Sequence, residues 1–262
     1  MSDKGCVSLG YNEKEANLAI RISAHKKFSN FSLEDWIAGH VALKKGSVVL
    51  DIGCGNGNLF PAYSEKVGDS GLLVGIDKSL ELLREAKNQR CKAPKLLLEY
   101  DMNSRLPFVD SSFDYVFSSF AIYYANDVLA IVEEIARVMA AGGEAILIGP
   151  TNNNAKELYD FNERVFGFSR DEKINRRTNR IEDEFYPAFQ KKFAEVSIEK
   201  IPSKLVFPDK GEFLKYYLAT LLFEESVKKY GAVFDVNRIS DVKLNAFEVS
   251  KEMIVLRGKK GA

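Results

Sequence analysis

Residues 46–57 read GSVVLDIGCGNG, a short apolar run closed by Asp51 and followed by glycines at 53, 55 and 57. The run has the length and β-branched content of a buried strand, and glycines at its exit let backbone amides approach a ligand without side chains in the way. Downstream, LFPAYSEKVG predicts a helix, LLVGID a second strand ending at Asp77, and SLELLREAKNQ a second helix. Strands alternating with helices predict a parallel sheet. KLLLEYD at 95–101 and SFDYVFSSF at 112–120 supply two more strands. Asp127 can cap a helix with Val128, Ile131, Val132, Ile135, Val138 and Met139 on one face, stopped by Gly142 and Gly143, before EAILIGP makes a fifth strand.

Either side of this block the pattern is less regular. Residues 1–45 read as a helical lid, with Leu33, Trp36, Ile37 and His40 at helical spacing. After Pro150, TNNN is a polar loop, and 151–190 reads as a helical cap insertion broken by the charged stretch DEKINRRTNR at 171–180. Residues 191–262 then return to the sheet, with FAEVSIEKIPSKLVF as a sixth strand, a helix over GEFLKYYLATLLFEESVKKY, and a final strand near VSKEMIVLRG. A single α/β domain is expected, with residues 46–150 as its ligand-binding core.

Composition narrows the function classes. Hydrophobic residues make up 46% and charged residues 28%, which suits a globular chain with a buried core. Lysine plus arginine and aspartate plus glutamate both number 37, so no global positive field collects phosphates and a nucleic-acid partner is disfavoured. Cys6, Cys54 and Cys91 are scattered and lack metal or redox spacing, so no metal is expected. They read as reduced thiols of a cytoplasmic protein. MSDKGCVSLG lacks the apolar core of a signal peptide, and no run is long enough for a membrane span.

The glycine loop alone fits several nucleotides. Dinucleotide-binding turns space their glycines G-x-G-x-x-G, and here the third position is Asn58. Asp77, 20 residues past Gly57 at the next strand end, can accept both hydroxyls of a ribose. Asp101 with Met102, after the third strand, offers a carboxylate and a polarizable neighbour suited to adenine. Three strand ends thus address one crevice.

Taken together, VVLDIGCGNG, VGIDKS, DMNSRLPFVDSSFDYVFSSFAIYY and the helix before AAGGEAILIG resemble the class I S-adenosylmethionine (SAM)-dependent methyltransferases over residues 46–150. Within that superfamily the chain is similar to the small-molecule branch that includes ubiquinone and menaquinone biosynthesis enzymes. The resemblance implies a Rossmann-like, seven-stranded, mostly parallel sheet with helices on both faces and an antiparallel last strand, here KEMIVLRG. It implies SAM as cofactor, S-adenosylhomocysteine (SAH) as product and a small-molecule acceptor. The cofactor set it implies is Asp51, Gly53, Cys54, Gly55, Gly57, Asp77, Lys78, Asp101, Met102, Ser118 and Ser119, with Gly53 to Gly55 at the amino-acid part, Asp77 at the ribose, Asp101 and Met102 at adenine, and the two serines at the methionine moiety.

Several residues admit two roles. Asp51 either touches ligand or ties the glycine loop to nearby amides. Cys54, between glycines, is expected to contribute backbone rather than a reactive thiol. Tyr123 and Tyr124 either line the substrate pocket or pack in the core. His25 and His40 read as packing or surface histidines rather than bases. Arg176, Arg177 and Arg180 could clamp an anion, but such a run is more often a solvated helix face. TNNN is not the Asn-Pro-Pro-aromatic motif of base methylases, whose place holds SSFAIYY. Two rivals stand beside a methyltransferase: a catalytically silent SAM-binding subunit and a nicotinamide-dependent oxidoreductase.

Overall fold

Seven strands form one sheet in the order β3-β2-β1-β4-β5-β9-β6. They are β1 (Val48–Ile52), β2 (Leu72–Asp77), β3 (Lys95–Glu99), β4 (Phe113–Ser119), β5 (Met139–Pro150), β6 (Glu195–Ile201) and β9 (Met253–Lys259). The computed structural model describes residues 15–167, 172–230, 239 and 247–261; Cys6 and Asp171 lie outside them. The first five strands run parallel, and β9 inserts antiparallel between β5 and β6, as the family resemblance implies. Order reverses at β1, which pairs with β2 on one side and β4 on the other. At such a reversal the crossover connections diverge to opposite faces and leave a crevice at the strands' carboxyl ends.

Period-two alternation assigns side chains to the two faces. Leu50, Ile52, Val116 and Leu147 pack with α5 (Val128–Val138) and α8 (Tyr186–Lys192). Val49, Phe117, Ile146 and Ile148 pack on the other face with α2 (Leu33–His40), α3 (Phe60–Val67) and α4 (Leu80–Lys87). Each fully buried aliphatic side chain contributes roughly 1.5–3 kcal/mol by leaving water. Helix α5 begins where expected, with Asp127 accepting from Ala130 N–H, but it ends at Val138. Met139 is already extended and pairs with Phe113, so the turn glycines 142 and 143 fall inside β5 rather than after a helix.

A third core stands apart from the sheet. It joins α1 (Glu15–Phe28), α6 (Lys156–Phe166), β7 (Lys204–Val206), α9 (Lys210–Leu218) and β8 (Glu248–Ser250), with Phe161, Phe207, Phe213, Tyr216 and Tyr217 at its centre. Residues of α10 (Leu221–Tyr230) pack against it. Residues of α1, 204–230 and 247–250 thus share one core with α6, and β7 pairs with β8 in a separate two-stranded sheet. Helix α2 departs from α1 and packs beneath the main sheet through Trp36 and Ile37. From Glu172 the charged stretch is itself helical: α7 (Glu172–Arg180) runs through a π-helical turn, Ile181–Phe185, into α8.

TNNN has a structural task at the neck between sheet and cap. Thr151 Oγ1 and Asn153 Nδ2 donate to Glu252 Oε1 at 2.7 and 3.0 Å, and Asn154 Nδ2 donates to the Glu252 carbonyl at 3.0 Å. Lys251 N–H donates to the Ser203 carbonyl at 2.7 Å, and Ser203 Oγ returns a bond to the Lys251 carbonyl. Among the described residues, no helix is long and apolar enough to cross a membrane.

Candidate functional site

The glycine loop is stitched to the neighbouring strand end. Gly53 and Cys54 N–H both donate to the Ile76 carbonyl, at 2.8 and 3.0 Å. Gly53, Gly55 and Gly57 all have positive φ, at 73°, 53° and 66°. They are not equivalent. A Cβ on Gly53 would stand 2.3 Å from the Ala121 Cβ, with the Met102 methyl at 3.5 Å, whereas one on Gly55 would meet nothing closer than Leu82 at 4.0 Å. Gly53 is required by space and by conformation; Gly55 only by conformation.

Asp77 closes the loop from β2. Its Oδ2 accepts from Gly55 N–H at 2.8 Å and its Oδ1 from Ser79 N–H at 2.9 Å. A carboxylate has about four lone-pair sites, so these bonds orient it and leave acceptor capacity for a ligand's hydroxyls. The adjoining Lys78 is exposed. Asp101, also exposed, accepts from both nitrogens of Asn103 at 2.9 and 2.8 Å. Asn103 Oδ1 in turn accepts from Asn126 N–H at 2.7 Å, which ties the loop after β3 to the loop after β4 across the crevice rim.

Beneath the loop lies a buried polar cluster. Alternation along β1 and β4 puts Asp51 and Ser119 on the α3 face, where Tyr63 is fully buried. Asp51 is 3% exposed; burial first and the charge of Asp77 second push its carboxyl up to about 7, with the Tyr63 hydroxyl working the other way. Among the described residues, Asp51 Oδ1, Tyr63 OH and Ser119 Oγ have no hydrogen-bond partner. Unsatisfied buried oxygens are uncommon, and Asp51 beside a ligand crevice suits a cationic amine. Ser118 differs from its neighbour: its hydroxyl donates to the Ile52 carbonyl at 2.7 Å and locks β4 to β1. Cys54 is buried, and burial, then Asp51 and Asp77, raise its thiol well above the ordinary range, so it is not a nucleophile.

After β4 the chain turns sharply. Phe120, a bulky residue at φ 55°, takes a left-handed conformation that ordinarily costs about 1–3 kcal/mol and clusters at functional sites. The turn carries Ala121 over Gly53 and leads into a 3-10 turn, Ile122–Tyr124. Tyr123 is buried against Gly149 of β5, while Tyr124 is only partly buried, its ring 4.7 Å from that of Tyr123. Arg180 of α7 fastens this segment: its Nη1 donates to the carbonyls of Tyr123, at 3.0 Å, and Ala125, and its Nε donates to Glu184 at 3.0 Å.

The histidines stand elsewhere. His25 packs edge-on to Tyr216 in the cap, its pKa lowered to about 3 by burial, then Lys251 and Arg21. His40 stacks on Trp36 at the surface. Among the described residues no cluster of histidine, cysteine and carboxylate could hold a metal ion. Tyr63, Asn103 and Ala121 were not legible as site residues, since each acts through a partner distant in sequence, and Arg180, weighed as an anion clamp, is taken up by the Tyr123 and Ala125 carbonyls and Glu184.

Comparison with known proteins agrees with this geometry. Residues 50–147 match the family model described as "Methyltransferase domain". The chain is 27% identical over 159 residues to a demethylmenaquinone methyltransferase of Bacillus licheniformis, covering 61% of this chain and 65% of that one. It is 30% identical over 141 residues to the enzyme of the same name from Lysinibacillus sphaericus, covering 54% and 58%. The chain thus spans less than two thirds of the length of these curated relatives. Among solved structures, the YcgJ protein of Bacillus subtilis superposes with a TM-score of 0.56 at 20% identity, covering 87% of this chain and 98% of that one. That likeness is one of fold.

Proposed function

We propose that residues 50–147, which match a methyltransferase domain, are a class I, SAM-dependent domain, and that the chain moves a methyl group from SAM to oxygen, nitrogen or carbon of a small-molecule metabolite in the cytoplasm. The observation that carries this reading is the cradle at Gly53. The ends of β1 to β4 converge there, and a Cβ on Gly53 would stand 2.3 Å from Ala121, so that only glycine fits. The residues fit the cofactor: Gly53 to Gly57 would offer backbone to its amino-acid part, the Asp51 oxygen that lacks a partner among the described residues would receive its ammonium, Asp77 would hold the ribose, and Asp101 with Met102 would hold the adenine.

When bound, SAM supplies a methyl group already activated on a sulfonium. The chain's own contribution is then placement rather than bond chemistry. Asp77 and the Ile76 carbonyl hold the loop rigid, Asn103 holds the rim closed, and Arg180 holds the post-β4 turn beside the crevice. Positioning of this kind can supply several kcal/mol, roughly 7–11 at the limit, without a general base.

Separate titrations with SAH and NADH test the reading. SAH is expected to bind in the micromolar range and NADH not at all; the reverse result would overturn it. Transfer of radiolabel from methyl-labelled SAM to any small acceptor separates an enzyme from a silent subunit.

A further inference from the structure

The two edges of the main sheet are built differently. β6 exposes Glu195, Ser197, Glu199 and Lys200, and charges of that kind keep an edge strand from pairing with another chain. β3, at the opposite edge, reads KLLLE, with Leu96 47% exposed. Its phase against β2 is set at both ends: the Pro94 carbonyl accepts from Leu73 N–H at 3.0 Å, and Tyr100 N–H donates to the Asp77 carbonyl at 2.9 Å. Residues 94, 96, 98 and 100 therefore turn their backbone groups toward β2, and Lys95, Leu97 and Glu99 turn theirs outward. Among the described residues, no hydrogen bond reaches these outward amides and carbonyls. They are an open template for one more strand.

The strand is complementary to itself. Laid antiparallel against a second copy about a two-fold axis at Leu97, Lys95 of each strand stands opposite Glu99 of the other, about 5.5 Å apart at Cα, and the outward residues form the hydrogen-bonded pairs. Lys95 Nζ donates to the Ala86, Lys87 and Gln89 carbonyls, which leaves its charge in place, and among the described residues neither Lys95 nor Glu99 has an ion-pair partner. Unlike charges thus meet at both ends of the pair. On the other face Leu96 falls in the closely spaced position against Leu98 of the second copy, so each strand covers the leucine that the other exposes. We propose that the chain pairs with a second copy of itself, edge to edge through β3, joining the two sheets into one. Antiparallel pairing points the carboxyl ends of the two sets of parallel strands in opposite directions, so the two glycine cradles open at opposite ends and neither obstructs the other. A five-residue edge buries less than a standard interface, which sets the association in the micromolar range or weaker.

Sedimentation velocity of the full chain over roughly 1–300 μM, beside hydrogen–deuterium exchange read by mass spectrometry over the same range, tests the pairing. Apparent mass is expected to double as concentration rises, and amide protection over residues 95–99 to rise with it. Leu96→Lys, at a position exposed in the single chain, sets an ammonium against Leu98 of the second copy and should weaken association by about tenfold or more. Glu99→Lys opposes Lys95 with a like charge and should weaken association at low salt, with the loss shrinking at high salt as exposed charges are screened. Near-ultraviolet circular dichroism checks that each variant is folded; should one unfold, protection over 95–99 in the wild-type chain decides. A monomer at every concentration overturns the proposal and leaves this edge to a different strand. A dimer whose protection falls outside 95–99, or one that survives both substitutions, overturns it as well.

Discussion

The cradle and the cap hold their shape in opposite ways. In the cradle, residues 50–126, hydrogen bonds tie loops and strand ends to one another: Gly53 and Cys54 to Ile76, Gly55 to Asp77, Ser118 to Ile52, Asn126 to Asn103. In the cap, helices from three separated parts of the chain share an aromatic core at Phe161, Phe207, Phe213 and Tyr217. A site defined by backbone hydrogen bonds suits a ligand that is the same for every turnover. One defined by side chains on helices is free to take whatever shape the acceptor requires.

The largest effect that would sharpen this contrast is expected at Gly53. Gly53→Ala sets a methyl 2.3 Å from Ala121 at a positive φ, and should cost roughly 3–5 kcal/mol in strain and overpacking. SAH affinity should fall more than about a hundredfold, measured by calorimetry, whereas Gly55→Ala, with open space around it, should lose far less. Equal losses at the two glycines would break the idea of a cradle shaped by close approach. Next comes Arg180, the joint between the regions. Arg180→Met should lower stability by about 3 kcal/mol in chemical denaturation, because it strips donors from the buried Tyr123 and Ala125 carbonyls.

Asp77→Ala follows, with about 2 kcal/mol of SAH affinity lost, since it removes the Gly55 bond and the acceptors placed for the ribose together. Asp77→Asn should recover part of the loop bond but little of the affinity. The smallest effect at neutral pH is expected from Asp51. Its folded carboxyl holds a proton from its ordinary 3.8 up to about 7, so the folded state binds more protons than the unfolded chain over that interval. Stability should therefore fall as pH rises from 4 to 7, and Asp51→Asn should flatten that slope. SAH affinity should rise a few-fold between pH 6 and 8 as Asp51 ionises opposite the ammonium, and the Asn variant should lose this rise too.

The same division explains what the sequence made readable. Period-two and helical patterns located β1 to β5 and α3 to α5, and the spacing of Asp51, Asp77 and Asp101 located the strand ends, because these depend on neighbours a few residues away. Asp77 and Gly55 are 22 residues apart, yet parallel strands bring such ends together as a rule. The cap follows no such rule. Nothing in α1 announces that Ala24 shares a core with Leu205, or that Arg176 and Arg180 both meet Glu184. A charged run shows its composition but not its partners: residues 172–180 form a helix whose Arg180 reaches the Tyr123 and Ala125 carbonyls.

The neck bears on how sheet and cap hold together. At three of the places where the chain crosses between sheet and cap, 151–155, 202–203 and 251–252, Glu252, Lys251 and Ser203 bind the segments side by side. A lid on one tether can swivel about it, whereas bonded segments lying abreast resist rotation, so these hydrogen bonds act as a weld between the two cores.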